Sequence, residues 1–210
     1  TGAVPGGGPV AVRAAAAETL ALPGRHIALT FDDGPHPAYT PQVLRILRRY
    51  RVPATFFVIG ENAAHHPDLV RRIVTDGHVL ANHSWSHPQL NLIPAARVRR
   101  ELGATSELLA TLAGEPPRWA RAPYGAWHKP SLAVCADLGM EPLGWSIDTA
   151  DWTRPGASAI STAVLDGAHP AGIVLAHDGG GDRSQTVAAL EYYLPRLLDL
   201  GYRPAHPVTG

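Results

Sequence analysis

His83 and His87 stand four residues apart in the stretch Asn-His-Ser-Trp-Ser-His-Pro at residues 82–88. If that stretch forms one helical turn, both imidazoles lie on one face and can share a divalent ion. Pro88 biases His87 away from helix, so such a turn must stop there. Asp32 and Asp33 are adjacent and precede Gly34-Pro35. Neighbouring carboxylates repel each other and add nothing to packing, so the pair points to a cationic partner. One carboxylate and two imidazoles leave coordination positions open, as a catalytic ion needs and a closed structural site does not. Plainer readings exist for the same residues: two surface histidines, and an Asp-Gly-Pro turn that caps a helix. Two His and one carboxylate also compose the triad of non-haem iron oxygenases.

More ionisable groups recur at intervals. Arg121 opens Arg-Ala-Pro-Tyr-Gly, Asp148 and Asp151 sit in Asp-Thr-Ala-Asp-Trp, and His177-Asp178 precedes three glycines. Each group follows a short apolar run. Residues 26–31, 54–59, 78–81, 118–121, 141–147 and 172–176 read as strands. Between them lie one-sided helical stripes, such as Val43, Leu44, Ile46, Leu47 and Tyr50. Residues 67–76 read as a helix with Pro67 at its start and Gly77 past its end. The last stripe, Val187 to Leu198, contains Pro195, which predicts a kink. Strand and helix alternate about six times, the pattern of parallel strands with outer helices, either open or closed into a barrel. In such folds reactive groups gather at the C-terminal strand ends. That is where the ionisable residues fall.

Composition removes several classes. Lys plus Arg equals Asp plus Glu at 18 each among 210 residues, and the pI is about 7.2. A nucleic-acid binder normally carries a basic excess, so no nucleic-acid partner is expected. No apolar run is long enough to span a bilayer. The one cysteine, Cys135, cannot form an internal disulfide or a cysteine-based metal site. Residues 1–24, rich in Gly, Pro and Ala, read as a flexible N-terminal arm, and residues 25–210 as one catalytic domain. The chain opens on Thr1 rather than Met. An export signal or anchor upstream is therefore expected.

The motifs resemble one family. Thr30 to Pro35 (TFDDGP), His83 to His87 (HSWSH), Arg121 to Tyr124 (RAPY), residues 148–152 (DTADW) and Leu175-Ala176-His177 match the five motifs of the polysaccharide deacetylases. That family is also called carbohydrate esterase family 4 or the NodB homology domain. The motifs occur in the family's order and span residues 27–202. The resemblance implies an α/β fold, a distorted, incomplete (β/α) barrel with parallel strands and outer helices. It implies that Asp33, His83 and His87 bind one divalent metal ion, zinc in this family, with Co²⁺ or another divalent ion able to take its place. Asp32 would be the general base, held by Arg121. His177 would be the general acid, oriented by Asp151. The backbone N–H of Tyr124 would serve the oxyanion. Trp152 and Leu175 would wall the acetyl pocket, and Trp127 beyond the third motif would line a sugar subsite or lie in an exposed loop.

The implied function is metal-dependent removal of N-acetyl groups from GlcNAc-containing glycans, of the chito-oligosaccharide or peptidoglycan type. O-deacetylation of acetylxylan and hydrolysis of a small non-sugar amide are the alternatives, with the iron oxygenase more remote. The expected partner is a glycan and the expected state a monomer. The expected location is secreted or cell-surface, with the cytoplasm left open for the small-molecule amidase.

Overall fold

The computed structural model describes residues 8–208. The strands are β1 His26–Asp32, β2 Thr55–Val58, β3 Val79–Asn82, β4 Trp119–Ala120, β5 Glu141–Pro142, β6 Ile147–Asp148, β7 Gly172–His177 and β8 Arg203–Pro204. The helices are α1 Thr40–Tyr50, α2 Gly60–His65, α3 Pro67–Thr75, α4 Ala95–Ala113, α5 Lys129–Asp137, α6 Ala157–Gly167 and α7 Ser184–Asp199. The strands pair in parallel in the order β5-β4-β3-β2-β1-β7-β6, and β8 adds beside the first residues of β1. Seven of them curl into a half-barrel with helices around it. This is the parallel sheet with outer helices that the alternating pattern predicts, in the incomplete (β/α) barrel form that the family resemblance implies.

Period-two alternation divides the core. Ile27, Leu29 and Phe31 of β1 join Phe56, Val58 and Val174 in packing against the helices. Ala28, Phe57, Ala81 and Ile173 fill the barrel interior with Trp119, Leu143 and Leu20. Each Leu-sized side chain so buried contributes about 1.5–3 kcal/mol before entropy is counted. The inward set of β1 continues through Thr30 to Asp32, so polar groups replace apolar ones only near the C-terminal end of the strand.

Four features depart from the sequence reading. The strand expected over residues 141–147 is two short ones, β5 and β6, on opposite edges of the sheet. Residues 143–146 cross the open seam between those edges, with no helix between them. An extra helix, α2, precedes α3. Helix α7 runs through Pro195 as one element, because Leu194 and Leu197 stay buried on its inner face to either side. Lastly, residues 8–24, expected as a flexible arm, lie against the barrel; the first seven residues fall outside the described ones. Ala17 bridges Leu143, Thr19 bridges Gly172, and Leu20 is buried in the barrel interior. The strap thus covers backbone groups that the incomplete barrel leaves unpaired at its seam.

Candidate active site

Parallel pairing puts all the C-terminal strand ends on one side. Asp32 and His177 are direct neighbours in the register of β1 with β7. Asp33 follows with φ 70°, in the left-handed region. Both carboxylates face His83, whose Nε2 lies 3.7 Å from Asp32 Oδ2 and 3.3 Å from Asp33 Oδ1. Asp32 continues the inward row of β1, while Asp33 reaches the histidines that follow β3. Its Oδ1 lies 3.3 Å from His83 Nε2 and 3.2 Å from His87 Nε2. The helical turn expected over residues 83–87 does not form. Ser84 and His87 both have left-handed backbones (φ 66° and 60°), and the loop closes through a 3.1 Å bond from the His87 N–H to Ser84 Oγ.

These three side chains form a set able to hold a metal ion. The His83 Nδ1 sits 2.8 Å from the Arg121 carbonyl, which can only accept, so Nδ1 carries the proton and Nε2 offers its lone pair. Asp33 Oδ1 is buried with no hydrogen-bond partner. An orphaned carboxylate oxygen between two imidazole nitrogens suits a cation. Burial opposes ionisation of Asp33, yet His83 and His87 outweigh it and hold the carboxyl well below the usual range. Burial likewise opposes charge on His83, and Asp32 and Asp33 reverse the balance upward.

Asp32 has its own cation. Arg121 is fully buried, and its Nη1 donates to Asp32 Oδ1 at 2.7 Å and to Thr30 Oγ1 at 2.8 Å. Nε and Nη2 donate to the Leu143 and Gly144 carbonyls, and the guanidinium lies 4.0 Å over the Phe57 ring. A guanidinium held at four points is a rigid seat for one carboxylate. Gly144 is itself anchored, because its N–H donates to Ala17 of the strap at 2.7 Å.

Across the cavity stands a second pair. Asp151 Oδ1 lies 2.6 Å from His177 Nδ1, and Oδ2 accepts from the His177 N–H at 2.9 Å and from Thr186 Oγ1 at 2.7 Å. Burial lowers the affinity of His177 for a proton, and the Asp151 bond more than restores it. Burial works against the Asp151 charge, and His177 keeps the carboxyl below its ordinary range. His177 is therefore placed to carry a proton, with Asp151 behind it. A cavity of about 570 Å³ joins Asp32, Asp33, His83, His87 and His177, and Tyr124, Trp145, Trp152 and Leu175 line its walls.

The sequence model described as "Polysaccharide deacetylase" matches residues 20–143. The chain belongs to the polysaccharide deacetylase family. The chitooligosaccharide deacetylase of Bradyrhizobium sp. (strain ANU 289) is 44% identical over 196 residues, 88% of this chain and 89% of that one. A peptidoglycan-N-acetylglucosamine deacetylase of Bacillus cereus is 39% identical over 179 residues, 84% of each chain. A solved peptidoglycan N-acetylglucosamine deacetylase superposes with a TM-score of 0.87 at 37% identity, covering 91% of this chain and 90% of that one. The family 4 carbohydrate esterase of Streptomyces lividans, solved with acetate, gives 0.81 at 32%, covering 86% and 92%.

Within this polysaccharide deacetylase site, Trp127 is the expected substrate-binding residue that does not line the cavity. It packs half-buried against Leu90, Val98 and their neighbours. Several contributors were not among the expected site residues. Trp145, on the seam-crossing segment, walls the cavity. Its signal was an aromatic alternating with Leu143 and Ile147, which reads as the core face of a strand. Gly179 and Gly180 lie against Asp33: a Cβ on Gly180 would strike its carboxylate, and one on Gly179 its carbonyl. The three consecutive glycines were the available cue. Thr186 steadies Asp151 from α7 and carried no cue. Asp178 is fully buried beside Gly34 and takes a 2.5 Å bond from Thr40 Oγ1. Burial, with Asp33 and Asp32 nearby, pushes its carboxyl up to about 7. Cys135 is buried, its thiol pushed up to about 12, as suits a packing residue.

Proposed function

We propose that this chain is a metal-dependent hydrolase that removes N-acetyl groups from GlcNAc-containing glycans of the chito-oligosaccharide or peptidoglycan type. The observation that carries the reading is a pair of oppositely wired acid–base couples facing one cavity. The Asp32 carboxyl is paired with the Arg121 guanidinium at 2.7 Å, and the His177 ring with the Asp151 carboxyl at 2.6 Å. Between them lies the Asp33, His83, His87 set, which we assign to zinc, with Co²⁺ able to substitute. A divalent ion there would lower the pKa of a water and polarise the acyl carbonyl.

The chain's own residues supply the remaining steps. Asp32 takes the proton as the water oxygen bonds to the acyl carbon. The Tyr124 backbone N–H steadies the negative charge on the carbonyl oxygen. His177 gives its proton to the nitrogen as the C–N bond breaks, releasing acetate and a free amine. Leu175, Trp145 and Trp152 exclude water from the methyl group, and the exposed faces of Trp152 and Tyr124 offer stacking surfaces to pyranose rings. A non-haem iron oxygenase would leave Arg121, Asp151 and His177 without a task.

Acetate release from chito-oligosaccharides, peptidoglycan and acetylxylan, with and without EDTA or dipicolinate, tests the reading. Release from the first or second, abolished by chelation and restored by Zn²⁺ or Co²⁺, is the expected result. Full activity in a verified metal-free sample overturns the metal assignment. Acetylxylan as the preferred substrate moves the assignment to ester cleavage. A cell-wall or external glycan as substrate would put the enzyme at the cell surface or outside it, and we propose separately that it acts as a monomer. Cell fractionation and light scattering check those two points.

A further inference from the structure

Glu101 plays no part in the chemistry above, yet it is buried on α4 with its carboxylate turned toward the metal loop. Oε2 accepts the N–H of Trp85 at 3.1 Å and of Ser86 at 2.8 Å, and Oε1 accepts the Ser86 hydroxyl at 2.9 Å. Trp85 and Ser86 lie between the two histidine ligands. The loop they belong to carries two non-glycine residues, Ser84 and His87, in left-handed backbone conformations. Such a backbone persists only where surrounding contacts over-determine it.

The other contacts on the loop come from backbone groups and from the side chains of Asn82 and Ser84. The N–H groups of Gly60 and Glu61 donate to the Ser84 and Trp85 carbonyls. Asn82 Oδ1 accepts the Ser84 N–H at 2.8 Å, while its Nδ2 is tied to the Leu102 carbonyl and Ser106 Oγ on α4. These bonds fix the first half of the loop. Glu101 supplies the acceptors for residues 85 and 86, directly before His87.

We infer that Glu101 is a positioning residue for metal binding: it holds the 83–87 loop so that His87 meets His83 and Asp33 at one point. The inference rests on the metal reading of those three side chains. It works through reach and hydrogen-bond geometry, and its charge is incidental. Glutamine in its place retains the arrangement, with the amide oxygen accepting both N–H groups and the amide nitrogen donating to Ser86 Oγ. Aspartate keeps the charge but falls one methylene short.

The test measures the Zn²⁺ dissociation constant by chelator competition for wild type, Glu101→Gln, Glu101→Asp and Glu101→Ala. The thermal midpoint of each metal-free protein is recorded alongside. Wild-type protein should bind Zn²⁺, and Glu101→Gln should bind within about threefold of it. Glu101→Asp and Glu101→Ala should bind roughly 10–100-fold more weakly, the range typical of residues that orient ligands. Should the alanine variant fail to fold, the Gln and Asp pair decides by itself. Weak binding by Gln with normal binding by Asp would make Glu101 a distant counter-charge and overturn the inference. Lower midpoints with unchanged Zn²⁺ affinity would make it purely structural and also overturn it. Wild-type protein that binds no Zn²⁺ removes the metal reading itself, and this inference with it.

Discussion

His78 and His83 stand just before and just after strand β3, at opposite ends of the barrel. Both are buried, at 7% and 2% exposure, so water stabilises the charge of neither. At His78 burial dominates and pulls the imidazole down to about 4, with only Asp76 opposing. The ring stays neutral, accepts the Ala54 N–H at 3.2 Å and leans on Phe56. At His83 the same burial is outweighed by Asp32 and Asp33. Depth within the protein therefore does not decide whether a histidine is structural or chemical; the carboxylates that surround it do. The contrast extends to the whole barrel. Its N-terminal end is closed by apolar side chains and the strap, while its C-terminal end gathers ionisable groups around a cavity.

Substitutions at the two ends should therefore fail in different ways. The largest effect is expected at the two adjacent aspartates. Asp32→Asn should lower acetate release roughly 10²–10⁴-fold and keep its metal, because the amide still fills the seat beside Arg121 but cannot take a proton. Asp33→Ala should lose metal instead, and excess metal should recover part of its activity. Zinc content measured beside acetate release decides; a zinc-free Asp32→Asn with a zinc-loaded Asp33→Ala would exchange the two roles.

Next comes the proton donor. His177→Ala should cost roughly 10²–10⁴-fold on amides. The loss should be smaller on activated aryl esters, whose leaving groups need no proton. Asp151→Asn should cost less and move the pH profile. His177 must carry its proton to act, so the rate falls as pH rises through its pKa. Asp151 holds that pKa up, and its loss should shift the alkaline limb of kcat/KM to lower pH. An unmoved limb would detach His177 from that step.

At the opposite end, Leu20→Ala should lower stability by about 2–5 kcal/mol, since it empties the plug of the barrel interior. kcat/KM per folded molecule should stay within about twofold. A selective loss of activity would make the strap part of the catalytic apparatus.

The smallest effect belongs to His78. Its folded-state pKa is depressed, so the stability it contributes is present above pH 6.5 and is lost as pH falls through about 4. That difference amounts to at most roughly 3 kcal/mol. Denaturant titrations of wild type and His78→Gln across this window should diverge by that much, with wild type the steeper. Parallel curves would show that the buried ring takes a proton as easily as an unfolded one.

Asp32, Asp33, His83, His87, Arg121, Asp151 and His177 were legible as a group because polar residues following short apolar runs have no packing reason to be there. Their separate roles came from family resemblance. The strands over residues 26–32, 172–177 and the middle of the sheet were legible through β-branched and aromatic runs. Residues 141–147 were misread as one strand because the alternation of Leu143, Trp145 and Ile147 with small or polar residues looks the same whether the segment lies along one edge or crosses between two. The strap was misread because Gly, Pro and Ala describe a loose arm equally well when its backbone is paired. Glu101, Thr186 and Gly180 carried little signal, since each acts on a residue distant in sequence.

Residue type and local spacing, which the chain carries in itself, were enough to establish a parallel α/β scaffold, its periodic core and the list of groups able to do chemistry. Only the tertiary structure decided which groups meet. Beyond the left-handed turn at Asp33, one of two consecutive carboxylates meets His87 while the other stays on Arg121. The β1–β7 register sets Asp32 beside His177, 145 positions later in the chain. The seam that residues 143–146 and the strap cover supplies the carbonyls that seat Arg121. Local patterns report hydrophobic periodicity, whereas the charge state and aim of a buried side chain depend on neighbours that only folding brings within a few ångströms.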